Sequence, residues 1–127
     1  MPNIELIHTE KAPAAVGPYS QATKADGQVF VSGQLGIIPS AGKLADGFKA
    51  QTRQALENLK SILEAAGSSM EKVLSVEVFV MDMGRFADLN TIYAEYFSTH
   101  KPARAAIQVA GLPLGGLVEM KCVALAD

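Results

Sequence analysis

Two opposite charges bracket an apolar stretch of the chain: Arg104, in Pro102-Ala103-Arg104, and Glu119, with no charged residue from Ala105 to Val118. A guanidinium is a planar, permanently charged fork that can grip a carboxylate bidentately. A carboxylate set among Val, Leu and Met is costly to bury unless it has a partner or a task, such as orienting a water or taking its proton. The plainer readings are a surface ion-pair arginine and a solvated glutamate beside Lys121. The apolar surroundings of both charges weigh against them.

Other residues carry weaker signals. Gly17-Pro18-Tyr19-Ser20-Gln21-Ala22 reads as a rigid turn displaying one amphipathic ring, so Tyr19 could cover a small ligand and donate its hydroxyl, or simply be a core tyrosine beside a turn. In Ser32-Gly33-Gln34, Gly33 would let a ligand approach the backbone, unless it is an ordinary strand-end glycine. Cys122 lies on an apolar strand with no histidine nearby and reads as a small core residue rather than a nucleophile. His8 and His100 fall near element ends and read as solvated. Ser20, Ser32 and the histidines form no nucleophile–base arrangement, and Gly115-Gly116 lacks the lysine and helix of a phosphate loop.

These residues must be positioned by the elements between them. Ile4 to His8, Tyr19 to Lys24 and Gln28 to Gly33 read as strands, with Ala25-Asp26-Gly27 as a hairpin connection, and Gly36 to Gly47 reads as a surface loop. From Phe48 the positions of Ala55, Leu56, Leu59, Ile62, Leu63 and Ala66 keep helical spacing, and Gly67 supplies the stop. Val73 to Met81 alternates as a strand with Leu74, Val76, Val78 and Val80 on one face. A helix over Arg85 to Ser98 presents Phe86, Leu89, Tyr93, Tyr96 and Phe97, and strands follow from Arg104 and over Leu117 to Leu125. The order β-β-β-α-β-α-β-β is an α+β layout in which two helices cover one face of one sheet. The other face should pack on further subunits.

This layout constrains the two charges. A tight hairpin of the last two strands would set Arg104 opposite about Val123, leaving Glu119 roughly 13 Å along the strand at ~3.3 Å per residue. One small substrate could not touch both. A crossover pairing Val73 to Met81 with the strand of Arg104 avoids the hairpin, and an oligomer could unite the charges across an interface.

The 127 residues suit one domain, 1–127, with a core that needs no disulfide or metal. Half the composition is apolar (49%), and 11 basic and 13 acidic residues are scattered singly to a net charge of −2, so no nucleic-acid partner is expected. A single cysteine and the lack of a signal-like or spanning segment fit a cytosolic, membrane-free protein.

Ala12-Pro13-Ala14-Ala15-Val16-Gly17-Pro18-Tyr19-Ser20-Gln21-Ala22, Val31-Ser32-Gly33-Gln34, and Pro102-Ala103-Arg104 followed by Val118-Glu119-Met120 together closely resemble the RidA/YjgF family of enamine/imine deaminases, in order and spacing over nearly the whole chain. The resemblance implies a chorismate-mutase-like fold assembled as a homotrimer, with clefts between subunits. It implies hydrolysis of reactive 2-imino acids, such as those derived from 2-aminoacrylate, to 2-oxo acids and ammonia. No cofactor is implied, because the pyridoxal phosphate belongs to the upstream dehydratase. Carried over by position, Arg104 would hold the substrate carboxylate, Glu119 would orient or deprotonate the attacking water, and Tyr19 would close the pocket. The Ser32-Gly33 stretch and the Ala106 backbone would bind the imine end. Ala106 stands where many relatives have cysteine, and Lys101 where many have an aromatic residue. Two other readings stand beside this one: an RNA-cleaving translation inhibitor, and a non-catalytic trimer that binds 2-oxo acids or client proteins.

Overall fold

A computed structural model describes residues 2–126 of the chain. Strands β1 (Glu5–Ile7), β2 (Ala22–Ala25) and β3 (Gln28–Leu35) lead into a small hairpin, β4 (Ile37–Ile38) and β5 (Lys43–Leu44). Helix α1 (Phe48–Ala65), β6 (Val73–Val80), α2 (Phe86–Tyr96), β7 (Ala103–Gln108) and β8 (Val118–Leu125) follow. Six strands form the main sheet in the order β1-β2-β3-β8-β6-β7. Only β6 and β7 run parallel, joined through α2. Strand β8 is inserted between β3 and β6, antiparallel to both.

The expected element order is present, with β4–β5 added inside the stretch read as a plain loop. Tyr19, Ser20 and Gln21 precede β2 rather than belonging to it. At the β2–β3 turn, Asp26 and Gly27 both take positive φ, the conformation that a two-residue hairpin matched to strand twist requires. Gly67, also at positive φ, ends α1: its N–H donates to Glu64 O and that of Ser68 to Leu63 O, pairing carbonyls the helix leaves open.

The core lies between one sheet face and the two helices. Val29, Val31, Val76, Val78, Val118 and Met120 meet Leu56, Leu59, Ile62 and Leu63 of α1 and Leu89 and Ile92 of α2. Each such side chain contributes roughly 1.5–3 kcal/mol through burial, which is why the alternation in β8 is strict: Val118, Met120, Cys122 and Ala124 are buried and the residues between are not. In β6 the expected alternation fails at one point. The register against β8 shifts between Val73 and Ser75, so this bulge buries Val73 and leaves Leu74 exposed. His100, read above as solvated, instead has its ring Nε2 2.6 Å from the carbonyl of Val73, so this nitrogen carries the proton and donates. The chain entering β7 returns beside the start of its parallel neighbour β6, which brings the two together.

The opposite sheet face has no helix over it. Phe30, Ile107 and Leu125 are 46%, 50% and 47% exposed there. Strand β7 is an edge, and all its residues except Ala106 are exposed.

Candidate functional site

A cavity of about 670 Å³ opens on the helix-free face where β3 meets β8. Tyr19, Ser32, Gly33 and Glu119 line it, together with Pro13, Ala14 and Val16 from the segment before β2 and Pro113 and Leu114 from the turn before β8. Four of the sequence-predicted residues therefore share one cavity. Lys121 also borders it, its Nζ lying 3.7 Å from the carboxylate of Glu77 rather than pairing with Glu119.

Glu119 projects from β8 on the face opposite the core, between Val118 and Met120, both fully buried. Its cross-strand neighbours are Leu35 and Phe79. Among the described residues it has no ion-pair partner, and burial pushes its carboxyl above the ordinary glutamate range. Room for it comes from the opposing strand. The β3–β8 register shifts between Val31 and Gln34, so Ser32 and Gly33 together face Lys121. A Cβ built on Gly33 would lie 2.9 Å from Cδ and 3.1 Å from Oε1 of Glu119. The glycine read above as clearance for a ligand is thus first of all clearance for the carboxylate. Such bulges commonly re-aim side chains beside functional sites.

The Ser32 hydroxyl is engaged, donating to Ser20 O at 2.6 Å, while Ser32 N–H donates to Gln21 O at 2.9 Å. These bonds fix the segment carrying Tyr19 onto β3. Tyr19 is half exposed at the cavity rim.

Arg104 and Ala106 lie elsewhere. On β7, Arg104 is registered with the buried Val76 and Ala106 with Val78, so both project toward the helix side. Glu119 projects to the other side, and β6 separates the two strands. The tight hairpin is excluded, yet one chain still does not bring the two charges to one cavity. Arg104 rests on α2: its Cζ lies 4.8 Å from the Tyr93 ring centroid and 5.4 Å from that of Phe86, and Nη1 donates to Asn90 Oδ1 at 2.8 Å. Phe86, Asn90 and Tyr93 form one stripe of the helix, a platform for a planar cation. Burial pushes the Tyr93 phenol up to about 12 against the opposing pull of Arg104, so the phenol stays neutral beneath it. The remaining guanidinium donors sit on an exposed strand.

Helix α1 holds the cavity's inner wall with buried amides. Asn58 Nδ2 donates to Leu35 O and Ile37 O, at 3.1 and 2.9 Å. Gln51 donates to Ala45 O and accepts from Leu117 N–H, at 3.1 and 2.9 Å. Polar residues inside an amphipathic stripe are the signal by which this role could have been found. Leu114 had no such signal: its φ of 59° places a non-glycine residue in left-handed conformation, 74% exposed at the cavity mouth. Cys122 is buried and its thiol is pushed up to about 12, which makes it inert. Among the described residues no cluster of His, Cys, Asp and Glu could hold a metal, and no helix is long and apolar enough to cross a membrane.

The sequence model of the family described as Endoribonuclease L-PSP matches residues 9–126. A RutC family protein of Pyrococcus horikoshii is 50% identical over 121 residues, covering 94% of this chain and 96% of that protein. A Bos taurus protein named 2-iminobutanoate/2-iminopropanoate deaminase is 46% identical over 122 residues, covering 95% and 89%. The crystal structure of RidA from the Antarctic bacterium Psychrobacter sp. PAMC 21119 superposes with a TM-score of 0.93 at 49% identity, covering 95% of this chain and 98% of that one.

Proposed function

The chain belongs to the endoribonuclease L-PSP family, that of the RidA/YjgF proteins, and on that footing we propose that it is an enamine/imine deaminase, hydrolysing small 2-imino acids to 2-oxo acids and ammonia. The observation that carries this reading is the unpaired, half-buried carboxylate of Glu119 in a cavity walled by apolar side chains and a tyrosine. A carboxylate whose proton affinity is raised by burial is a better base than one in water. In the proposed reaction it takes a proton from a bound water as the oxygen attacks the imine carbon. The nitrogen of the tetrahedral adduct takes that proton from Glu119; Glu119 then takes the proton of the new hydroxyl and passes it to nitrogen as the C–N bond breaks, leaving the carbonyl and ammonia, while Tyr19 closes the pocket. No cofactor is needed, because water supplies both the oxygen and the protons that nitrogen carries away. Backbone groups of the Ser32-Gly33 bulge bind the imine end.

The substrate carboxylate requires a cation, and Arg104 is the one prepared for it, with a stacked plane and free donors. Because Glu119 and Arg104 project to opposite sides of the sheet, the proposed site takes Arg104, with the backbone of Ala106, from a neighbouring subunit. The uncovered sheet face with Phe30, Ile107 and Leu125 supports such an assembly, which we propose is a homotrimer with a site at each interface. The RNA-cleaving alternative has little support from the cavity, where among the described lining residues one basic side chain, Lys121, is matched by one acid, Glu119.

The direct test generates 2-aminoacrylate with a serine dehydratase and traps the surviving imine with semicarbazide. Wild-type protein should deplete the trapped product, and Arg104→Ala and Glu119→Gln should not. Undiminished trapping in the presence of wild type would sink the proposal.

A further inference from the structure

The cavity wall contributed by residues 9–19 has no helix or strand of its own; Ala12, 3% exposed, seats one point of it in the core, and one polar side chain ties its beginning down. Gln21 is 2% exposed. Its Nε2 donates to Pro13 O at 2.8 Å and Thr9 O at 3.0 Å, with a longer contact of 3.5 Å to Ala12 O. Its Oε1 accepts from Thr9 N–H at 2.7 Å. The backbone on either side is tied to β3, since Ser20 O and Gln21 O both receive hydrogen bonds from Ser32. The amide therefore links the beginning of the segment to the bulge that also makes room for Glu119. A primary amide presents donors and an acceptor at one tip, which is what a loop offering carbonyls and one N–H requires; a carboxylate or an apolar isostere lacks the donors.

Apart from this side chain and the buried Ala12, the segment is lightly held. Val16 is exposed, and the backbone bond from Tyr19 N–H to Gly17 O is internal to the segment. Yet Pro13, Ala14, Val16 and Tyr19 are the residues with which it borders the cavity.

We infer that Gln21 is a positioning residue of this site: its buried amide latches residues 9–13 to the backbone that Ser32 holds on β3, and so sets the width of the cavity between that stretch and Tyr19. Glu119, which stands on β8 and does not touch the latch, keeps its own geometry when the latch is lost. The amide thus governs how well substrate is held more than how fast bound substrate reacts. The inference rests on the deaminase reading for its kinetic consequence and on geometry alone for its structural one.

Two isosteric variants test it. Gln21→Met removes every hydrogen bond, and Gln21→Glu keeps the acceptor while setting a charge against two carbonyls. Kinetics on imino acids released by an amino-acid oxidase, read by semicarbazide trapping, should show the half-saturation concentration raised at least about fivefold in both variants, with kcat within about threefold of wild type. Deuterium uptake should rise in residues 9–19 while β3 and α1 keep wild-type protection. An unchanged half-saturation concentration, or a kcat loss with binding intact, overturns the inference. So does faster exchange spread evenly over the molecule, which would make Gln21 a general fold residue. If wild type shows no turnover, the deaminase reading falls by itself; the latch then stands if exchange rises in 9–19 alone, and falls if exchange there is unchanged.

Discussion

Glu119 and Gly33 act as a pair, and substitutions at the two should be distinguishable. Glu119→Gln keeps the shape and removes the base, so the trapped-imine assay should show a rate lower by about 10²–10⁴-fold. Its effect on stability should run the other way. The carboxyl titrates higher in the folded chain than in the unfolded one, so the folded chain holds an extra proton in that window, and stability falls as pH rises through it. Denaturant titrations should show wild type losing stability between mildly acidic and neutral pH relative to Glu119→Gln, with the variant at least as stable at neutral pH. The activity should rise with pH through an inflection above the ordinary glutamate range. Gly33→Ala should cost activity by displacing the carboxylate that lies within 3.1 Å of the new methyl group, even though Glu119 itself is retained. A Gly33→Ala protein with wild-type rate would show that the clearance has no functional role.

At the scale of elements, α2 and α1 each hold one part of the proposed site. Asn90→Ala should weaken substrate binding several-fold while leaving the pH profile of the rate unchanged, because it loosens Arg104 without touching Glu119. Gly36→Ala tests the α1 contact: its Cβ would fall 2.4 Å from the Cα and carbonyl oxygen of Gln51, an overlap with backbone that should lower the unfolding free energy by about 1–3 kcal/mol in urea titrations. Much of this scale was legible in the sequence. Alternation marked β8, the spacing of Leu56, Leu59, Ile62 and Leu63 marked α1, and Gly67 marked its end, since burial and backbone sterics act locally and leave a periodic trace. The bulges at Leu74 and at Ser32-Gly33 were not legible, because a register shift depends on the partner strand and leaves no trace in its own sequence. Phe86, Asn90 and Tyr93 carry the spacing of a platform, but nothing in the sequence says that Arg104 lies over it. The segment at Leu114 was invisible for a related reason, as its left-handed backbone is imposed by its setting.

For the whole molecule, the placement of Arg104 and Glu119 on opposite sheet faces makes the proposed function depend on the proposed assembly. Arg104→Ala and Glu119→Gln subunits, each inactive alone, should restore about a quarter of wild-type activity when co-refolded in equal amounts, since a site that draws its arginine from one variant and its glutamate from the other is intact. No recovery would mean that each chain serves itself. Phe30→Asp, on the uncovered face, should lower the mass seen by light scattering and abolish turnover together, while leaving the helix-side core folded.

Strand β8 is made last among the strands of the sheet, yet it stands at the sheet's centre, between β3 and β6. A chain emerging in order at about 5–20 residues per second therefore has both flanking units, β1–β3 and β6–α2–β7, before the strand that joins them. Until β8 is inserted, the inner edges of β3 and β6 are open to pairing with other chains. The cavity shares this schedule, because Glu119 and the Leu114 turn belong to the same late segment. During synthesis the protein is thus at its most vulnerable to edge-to-edge aggregation just before it becomes competent, and the residue proposed to do the chemistry is carried by the strand that closes the sheet.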